Sequence, residues 1–299
     1  MLKDFLFAIQ EDLINYEIDR VLLKASIIIV TYNSDHELLF RNLKSLKEQT
    51  YKNFEILVID NSDKGDLKSI ISKYSLRYIK LKKNYGLSLA RNVGINLAKG
   101  NILIFLDDDA IPARDFVEEH LKAHNKYDII GLRGKAIPRS RSIFNYFAVH
   151  YDLGDKVIPW FIDLEGNSSF KKEVLLKVGG FNPNLSRAGG HEGTELSYRI
   201  LNIYKDKHKL IYYPHAIIYH DYSTNLIQYL KKQLRHSQHA DFIKNNFPDI
   251  FQFVEEYKIP SYRFPNDVSF TIKIRLKLIS QLASSLIRMR RGWLNAISS

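Results

Sequence analysis

Short apolar runs alternate with stretches of helical periodicity through the first hundred residues. Ser26-Ile-Ile-Ile-Val30 is a continuous β-branched run, of the kind that suits a strand buried on both faces. Leu38, Leu39, Leu43 and Leu46 then fall on one face of a helix over about 36–48. Phe54-Glu-Ile-Leu-Val-Ile59 predicts a second buried strand, Asp60-Asn61-Ser62 a turn and cap cluster, and 63–73 a helix. Tyr78-Ile-Lys-Leu81 predicts a third strand. A loop at Asn84-Tyr-Gly86 and a helix to about Ala98 precede a fourth strand, Asn101–Leu106, which runs into Asp107-Asp108-Asp109. Strand and helix in alternation predict an α/β fold, an open, mostly parallel, Rossmann-like sheet with helices on both faces. Ligands of such sheets bind beyond the carboxyl ends of the strands. Thr31-Tyr-Asn33, Asp60-Asn61 and the Asp triplet should therefore converge on one rim.

The pattern is less regular at the two ends and in the second half. Leu2, Phe5, Ile9, Leu13 and Tyr16 recur at helical spacing, so residues 1–24 predict an amphipathic helical appendage. Residues 128–165 predict strands and an aromatic stretch (Phe144, Tyr146, Phe147, Tyr151, Trp160, Phe161) that could stack on a sugar or fill a core. A helix over Lys171–Val178 closes at Gly179-Gly180. Strands at 210–213 and 216–219 follow, then a helix near 224–245. From Val268 to Ile297 two periods compete. Alternation of apolar residues is strand-like, but Lys273, Lys277, Ser280, Ser284, Arg288, Arg291 and Asn295 form one polar stripe of a helix. The longer helical pattern predicts a basic amphipathic C-terminal extension over 224–299. Such a helix lies on an anionic membrane surface or packs with its basic side in water.

Composition narrows the classes. Hydrophobic residues make up 45% of 299 residues, enough for a real core. There is no cysteine, which excludes disulfides and thiolate metal sites. The chain has 44 basic against 33 acidic residues, a formal charge of +11, so its partners are anions, which charge alone does not distinguish. No run reaches the roughly 18 apolar residues of a membrane span, and acids inside the N-terminal apolar run are wrong for a signal peptide. These features predict a cytoplasmic chain, peripheral on the membrane face if its C-terminal helix docks there.

Three consecutive carboxylates repel one another, and a divalent cation removes that cost. Mg²⁺-type ions are held by one or two carboxylates plus substrate phosphates. Alternation along an extended chain puts Asp107 and Asp109 on one side. A cap for the following helix, over about 113–124, would need only one of the three.

The wider series carries more weight. Thr31-Tyr-Asn33, Leu43-x-x-Leu46-x-x-Gln49-Thr50, Asp60-Asn61-Ser62, Asn84-x-Gly86 with Ala90-Arg91-Asn92-x-Gly94, and Phe105-Leu-Asp107-Asp-Asp109 occur in order. Over roughly residues 25–240 this resembles the inverting GT-A glycosyltransferases of family two. The resemblance implies a catalytic domain over 25–223, with a nucleotide-sugar-binding half (25–125) and an acceptor half (126–223). It implies that Thr31, Asn33, Asp60, Asn61, Asn84, Arg91, Asp107 and Asp108 bind the nucleotide sugar. It assigns Asp109, with Asp107 and His220, to Mn²⁺ or Mg²⁺. In the acceptor half, Gly179-Gly-Phe-Asn182 and His191-Glu192-Gly193-Thr-Glu195-Leu196 resemble the family pattern whose Glu-Asp pair supplies the general base. Gly193 stands where the family has its Asp. The base then falls to Glu192, with Glu195 next, and an inactive relative is the reading if neither serves. The implied reaction is transfer from a nucleoside-diphosphate sugar to a hydroxyl of a glycan or lipid-linked glycan, with inversion.

Two other readings compete. A sugar nucleotidyltransferase would show a Gly-rich phosphate loop after the first strand, where this chain has Thr-Tyr-Asn. A basic nucleic-acid- or membrane-surface-binding protein would use the charge, but an acidic rim opposes nucleic acid, and none is expected as partner. Within the family, a processive synthase would need membrane spans and a Gln-x-x-Arg-Trp motif, and the sequence has neither. His215 is expected to be a satisfied strand-end histidine, and the pairs His120/His124 and His236/His239 surface features.

Overall fold

The computed structural model describes residues 2–14, 23–185, 190–257 and 268–298. The elements in chain order are β1 (Ile9–Ile14), β2 (Ala25–Thr31), α1 (His36–Lys47), β3 (Phe54–Asp60), α2 (Lys68–Ile71), β4 (Arg77–Leu81), α3 (Leu87–Leu97), β5 (Ile102–Asp107) and β6 (Ile111–Pro112). They continue as α4 (Phe116–Lys126), β7 (Gly131–Ile137), β8 (Ile158–Pro159), β9 (Asn167–Lys171), α5 (Lys172–Val178), α6 (Glu192–Tyr204), β10 (Leu210–Tyr219), α7 (Leu226–Asn246), α8 (Asp249–Glu255) and α9 (Phe270–Ser298). One sheet has the order β1-β4-β3-β2-β5-β9-β7-β10-β6, with β8 on β10. The strands β2, β3, β4, β5, β7 and β10 run one way, and β1, β6, β8 and β9 run the other.

Burial on both faces of β2 explains its unbroken apolar run. Ile27 and Ile29 enter one core layer with Leu39, Leu43 and Leu46 of α1. Ile28 enters the other with Leu89, Ala90 and Val93 of α3. The register sets the rim: Thr31 lies opposite Asp60, Val30 opposite Asp107, and Asp60 opposite Lys80. Strand order reverses between β2 and β5, and the crevice at that switch point is where such sheets take ligands. α1 is capped by Asp35, which accepts from the N–H groups of Glu37 and Leu38. Asn42 on α1 donates to the carbonyls of Asp107 (3.0 Å) and Ala110 (2.7 Å), fixing the turn that carries the triplet.

Several expectations are corrected. Residues 1–24 are not a helical appendage in their described part: Leu2–Ala8 form a 3-10 helix and Ile9–Ile14 a strand. The open edge of β4 offers a row of backbone partners, and β1 takes it, helped by Arg77 on Asp12 at 2.5 Å. Tyr16 lies outside the described residues. The helix expected over 63–73 shrinks to Lys68–Ile71. Residues ahead of it are spent on the rim, where Asp63 accepts from the Asn84 N–H at 2.8 Å. The two strands at 210–213 and 216–219 are one, β10, whose pairing with β7 is irregular between Tyr212 and Ile217, around Pro214, a residue with no N–H to give the ladder. The C-terminal segment is helical, as its longer period predicts.

Neither histidine pair is a simple surface feature: His120 and His239 are buried, and His124 and His236 are half-buried. His120 is fully buried and its ring nitrogens meet Ser169 at 2.9 Å and Asn167 at 3.2 Å, while His124 meets the same Ser169 at 2.9 Å. The i,i+4 spacing is a clamp of α4 onto β9, and burial pushes both imidazoles down to about 3. His239 is buried against the Gly190 carbonyl. His215 lies mid-strand, exposed, edge-on to Tyr213 at 5.1 Å.

Candidate active site

The carboxyl ends of β5 and β10 bring Asp107, Asp109 and His220 together, with their ligand atoms all within 4.8 Å of one another. Asp107 ends β5 and Asp109 lies two residues on, so both face His220, while Asp108 turns away to accept from the Ser34 hydroxyl. His220 Nε2 is 3.1 Å from Asp109, and Nδ1 is 3.0 Å from the Tyr151 hydroxyl. Gly166 is forced to be glycine by this packing. A Cβ there would come 1.9 Å from an Asp107 carboxylate oxygen.

The triplet is electrostatically uneven. Burial raises the Asp107 carboxyl, against the pull of Arg91 and His220. Asp108 is pushed up to about 7 by burial and by Asp109. Burial also works against the charge of Asp109, but His220 and Arg139 outweigh it and hold that carboxyl below its usual range. Burial opposes the imidazolium of His220, yet Asp109 and Asp107 raise it. One carboxylate thus stays charged while its neighbours resist ionisation, which suits a site completed by a cation.

Cations ring the cluster. Arg91 on α3 lies 3.7 Å from Asp107 and stacks on Phe181 at 5.1 Å; its Nη1 is buried without a partner. Arg139 donates to the Asp109 carbonyl at 2.9 Å. Lys232 on α7 sits over the Tyr222 ring at 3.8 Å, and burial lowers its ammonium to about 8 although Asp107 and Asp109 support the charge.

The nucleotide side of the rim is stitched together. Asp60 accepts from Tyr78 Oη at 2.6 Å, Lys80 Nζ at 3.0 Å and the Ser62 N–H at 3.0 Å. Its carboxylate is therefore spent on the fold and is 1% exposed. Asn61 donates to Asn84 at 3.0 Å and accepts from the Tyr85 N–H at 2.9 Å, tying β3 to the loop before α3. Asn33 is exposed in a left-handed conformation, with its N–H on Ser62 Oγ at 2.9 Å. Thr31 Oγ1 is buried without a partner.

The family model described as Glycosyl transferase family 2 matches residues 26–175. The chain belongs to that family. It is 39% identical over 123 residues to the uncharacterized glycosyltransferase YfnE of Bacillus subtilis, covering 38% of this chain and 31% of that protein. It is 33% identical over 168 residues to the poly(ribitol-phosphate) beta-N-acetylglucosaminyltransferase TarP of Staphylococcus aureus, covering 52% of this chain and 50% of TarP. The chain thus spans about a third to a half of the length of these curated relatives. Among solved structures, the mannosyltransferase PcManGT from Pyrobaculum calidifontis, in complex with GDP-Man and Mn²⁺, superposes with a TM-score of 0.58 at 19% identity, over 98% of this chain and 88% of that one. The shared fold is GT-A.

On the other side of the family 2 rim lies a cavity of about 350 Å³, lined by Glu165, Asp163, His150, His191, His236 and Phe161 among others. Glu192 opens α6 beneath it and is 1% exposed. One of its oxygens accepts from the Gly190 N–H at 2.7 Å, and the other is buried without a partner. Burial and the nearby Glu165 push its carboxyl up to about 7. Glu195 is held away from the cavity, paired with Arg199 through both oxygens at 2.7 Å. The aromatic stretch is mostly core: Phe144, Tyr151, Trp160 and Phe161 are buried.

Arg139, Glu165 and Lys232 were not singled out in the sequence, and Tyr151 was named only within the aromatic stretch, as sugar platform or core. Each comes from an element with no motif of its own. A signal existed only for Glu165, which stands next to the Gly166-Asn-Ser-Ser run leading into β9.

Proposed function

We propose that the chain transfers a sugar from a nucleoside-diphosphate sugar to a hydroxyl of a glycan or lipid-linked glycan, with inversion and with a divalent cation. The observation that carries this reading is the convergence of Asp107, Asp109 and His220 at the switch point of the sheet, beside Arg91. Two carboxylates and one imidazole fit Mn²⁺ or Mg²⁺; Asp109, Asp107 and His220 would hold it. A bound cation would stabilise negative charge on the departing diphosphate.

The chain's own residues do the rest. Arg91 and Lys232 offer positive charge to the diphosphate, and the unpartnered Arg91 Nη1 and Thr31 Oγ1 are buried polar atoms that a ligand could satisfy. Asn33, Asp60, Asn61 and Asn84 frame the nucleoside, with Asp60 acting by fixing Tyr78 and Lys80. Asp108 holds the turn through Ser34. The acceptor approaches from the cavity side, over residues 126–223, and its hydroxyl proton passes to a carboxylate on that side. Glu195 serves the frame of α6.

The second part of the proposal is peripheral binding to the cytoplasmic face of a membrane. No helix among the described residues is long and apolar enough to cross one. On α9, Leu276 and Ala283 pack inward, while Phe270 (77% exposed), Ile274, Leu278 and Leu282, four residues apart, face solvent with Met289 (70%). Lys273, Arg275, Lys277, Arg288, Arg290 and Arg291 accompany them, and residues 270–298 contain no acid. An apolar line flanked by cations matches an anionic leaflet.

Thermal denaturation with UDP-glucose, UDP-N-acetylglucosamine and GDP-mannose, with and without Mn²⁺, tests the main reading. One donor should raise the melting temperature in a Mn²⁺-dependent way, and Asp109→Ala should abolish that shift while leaving the unliganded transition in place. A shift that survives Asp109→Ala would remove the metal assignment.

A further inference from the structure

Gly193, the second residue of α6, carries no side chain, and the space beside it is filled. A Cβ on residue 193 would come 2.7 Å from Glu165 Cγ, 2.7 Å from Glu165 Oε1 and 2.5 Å from the Ile162 carbonyl. The Gly193 N–H donates to Glu165 Oε1 at 2.6 Å. The chain segment before β9 has therefore delivered a carboxylate to the place from which a side chain at 193 would start.

Four acidic side chains lie near the cavity end of α6, and they differ in what they can reach; Asp163 lines the cavity but is paired with Arg133 at 3.0 Å. Glu195 is locked to Arg199 through both oxygens. Glu192 is 1% exposed and is not among the residues lining the cavity. Glu165 is partly exposed and lines the cavity itself. Among the described residues its Oε1 takes the Gly193 bond and its Oε2 takes none. Its neighbour Gly166 packs on the Asp107 carboxylate and accepts from the Asp107 N–H at 3.3 Å. Glu165 thus lines the cavity while the next residue packs on Asp107 of the cluster.

We propose that Glu165 is the general base of the transfer, with Glu192 a positioning residue behind it. The assignment rests on the glycosyltransferase reading above. As the acceptor oxygen bonds to the anomeric carbon, the bond from that carbon to the diphosphate oxygen breaks and its electron pair leaves with the nucleoside diphosphate. The acceptor proton moves to a Glu165 carboxylate oxygen. The Gly193 N–H orients that carboxylate, and Glu192 keeps the loop Gly190–Gly193 in place through its bond to the Gly190 N–H. In hydrolysis of the donor, water takes the acceptor's part and loses its proton to the same group.

The test uses the full chain with Mn²⁺ and measures UDP or GDP release from UDP-glucose, UDP-N-acetylglucosamine and GDP-mannose. Glu165→Gln keeps an oxygen for the Gly193 N–H but cannot take the proton. It should lower the rate on the best donor by roughly a hundredfold or more, with UDP or GDP affinity within twofold of the native chain. Glu165→Ala should lose activity similarly and regain at least tenfold of it in the presence of formate, which a merely structural role would not allow. Glu192→Gln should retain more than a tenth of the native rate. Glu165→Gln retaining more than a tenth overturns the assignment alone, as does Glu165→Ala that formate does not restore. A native chain that neither binds the nucleotides nor turns over any of the three donors overturns the glycosyltransferase reading, and the base assignment with it.

Discussion

The hydroxyl of Tyr151 lies 3.0 Å from Nδ1 of His220, which leaves Nε2 of the same ring 3.1 Å from Asp109. A metal-ligating Nε2 needs its proton on Nδ1, and the Tyr151 oxygen is the acceptor placed for it. Tyr151 is itself anchored: the fully buried Arg133 donates to its carbonyl at 3.1 Å and pairs with Asp163 at 3.0 Å. Tyr151→Phe should therefore leave the fold intact and weaken Mn²⁺ binding by roughly tenfold or more. Calorimetric titration of Mn²⁺ in the presence of UDP or GDP checks this; unchanged affinity would detach Tyr151 from the cluster.

Glu192 makes the chain's stability depend on pH. Burial and Glu165 raise its folded carboxyl from 4.5 to about 7. Between those values the folded chain keeps a proton that the unfolded chain has lost. By linkage, this group's contribution to stability falls as pH rises from about 4.5 to about 7, and is constant above. Glu192→Gln has no proton to lose. Urea unfolding at pH 5 and pH 8 should show the native chain losing more stability than the variant across that interval. Parallel losses in both would place the titration elsewhere.

His120 serves the frame. His120→Ala strips partners from Ser169 and Asn167 inside the sheet and leaves a cavity beside Phe116, whose ring is 4.6 Å from the imidazole. A loss of roughly 2–4 kcal/mol in unfolding free energy is expected. Mn²⁺-dependent nucleotide binding by the folded fraction should be unaltered, since the clamp lies outside the cluster. A variant as stable as the native chain would refute the clamp.

Leu278 and Leu282 face solvent on α9 and support no core contact. Leu278→Glu with Leu282→Glu should keep the melting temperature within a degree or two and abolish co-sedimentation with vesicles of phosphatidylglycerol and phosphatidylcholine. Native binding should weaken with added salt, as attraction between basic side chains and anionic lipid is screened. Equal sedimentation of native and variant chains would leave α9 an ordinary surface helix.

Strands β2, β3 and β5 were legible because each is largely buried on both faces and ends in a polar residue at the rim. Thr31, Asp60 and Asp107 could be read onto one rim because parallel strands in register end together. Local period failed where partners decided the outcome. Ile9–Ile14 has helical spacing but meets the open edge of β4. The i,i+4 histidines of α4 carry no sign of the Ser169 and Asn167 that bury them. Glu165 had only the weak signal of the run beside it for a related reason: its partner Gly193 is brought to it by a separate element, α6. Asp60 was read as a nucleotide contact, and in the fold its oxygens are already engaged by Tyr78, Lys80 and Ser62.

Strand β9 pairs with β5 on one side and β7 on the other, so a single hydrogen-bonded ladder joins the strands before residue 126 to those after it. There is no seam between them at which two bodies could swing apart. The spacing between Asp107 and the start of β9, two residues after Glu165, is inherited from the sheet as a fixed gauge length. On the proposed reaction, the backbone then sets how far apart donor and acceptor sit, before any side chain touches either.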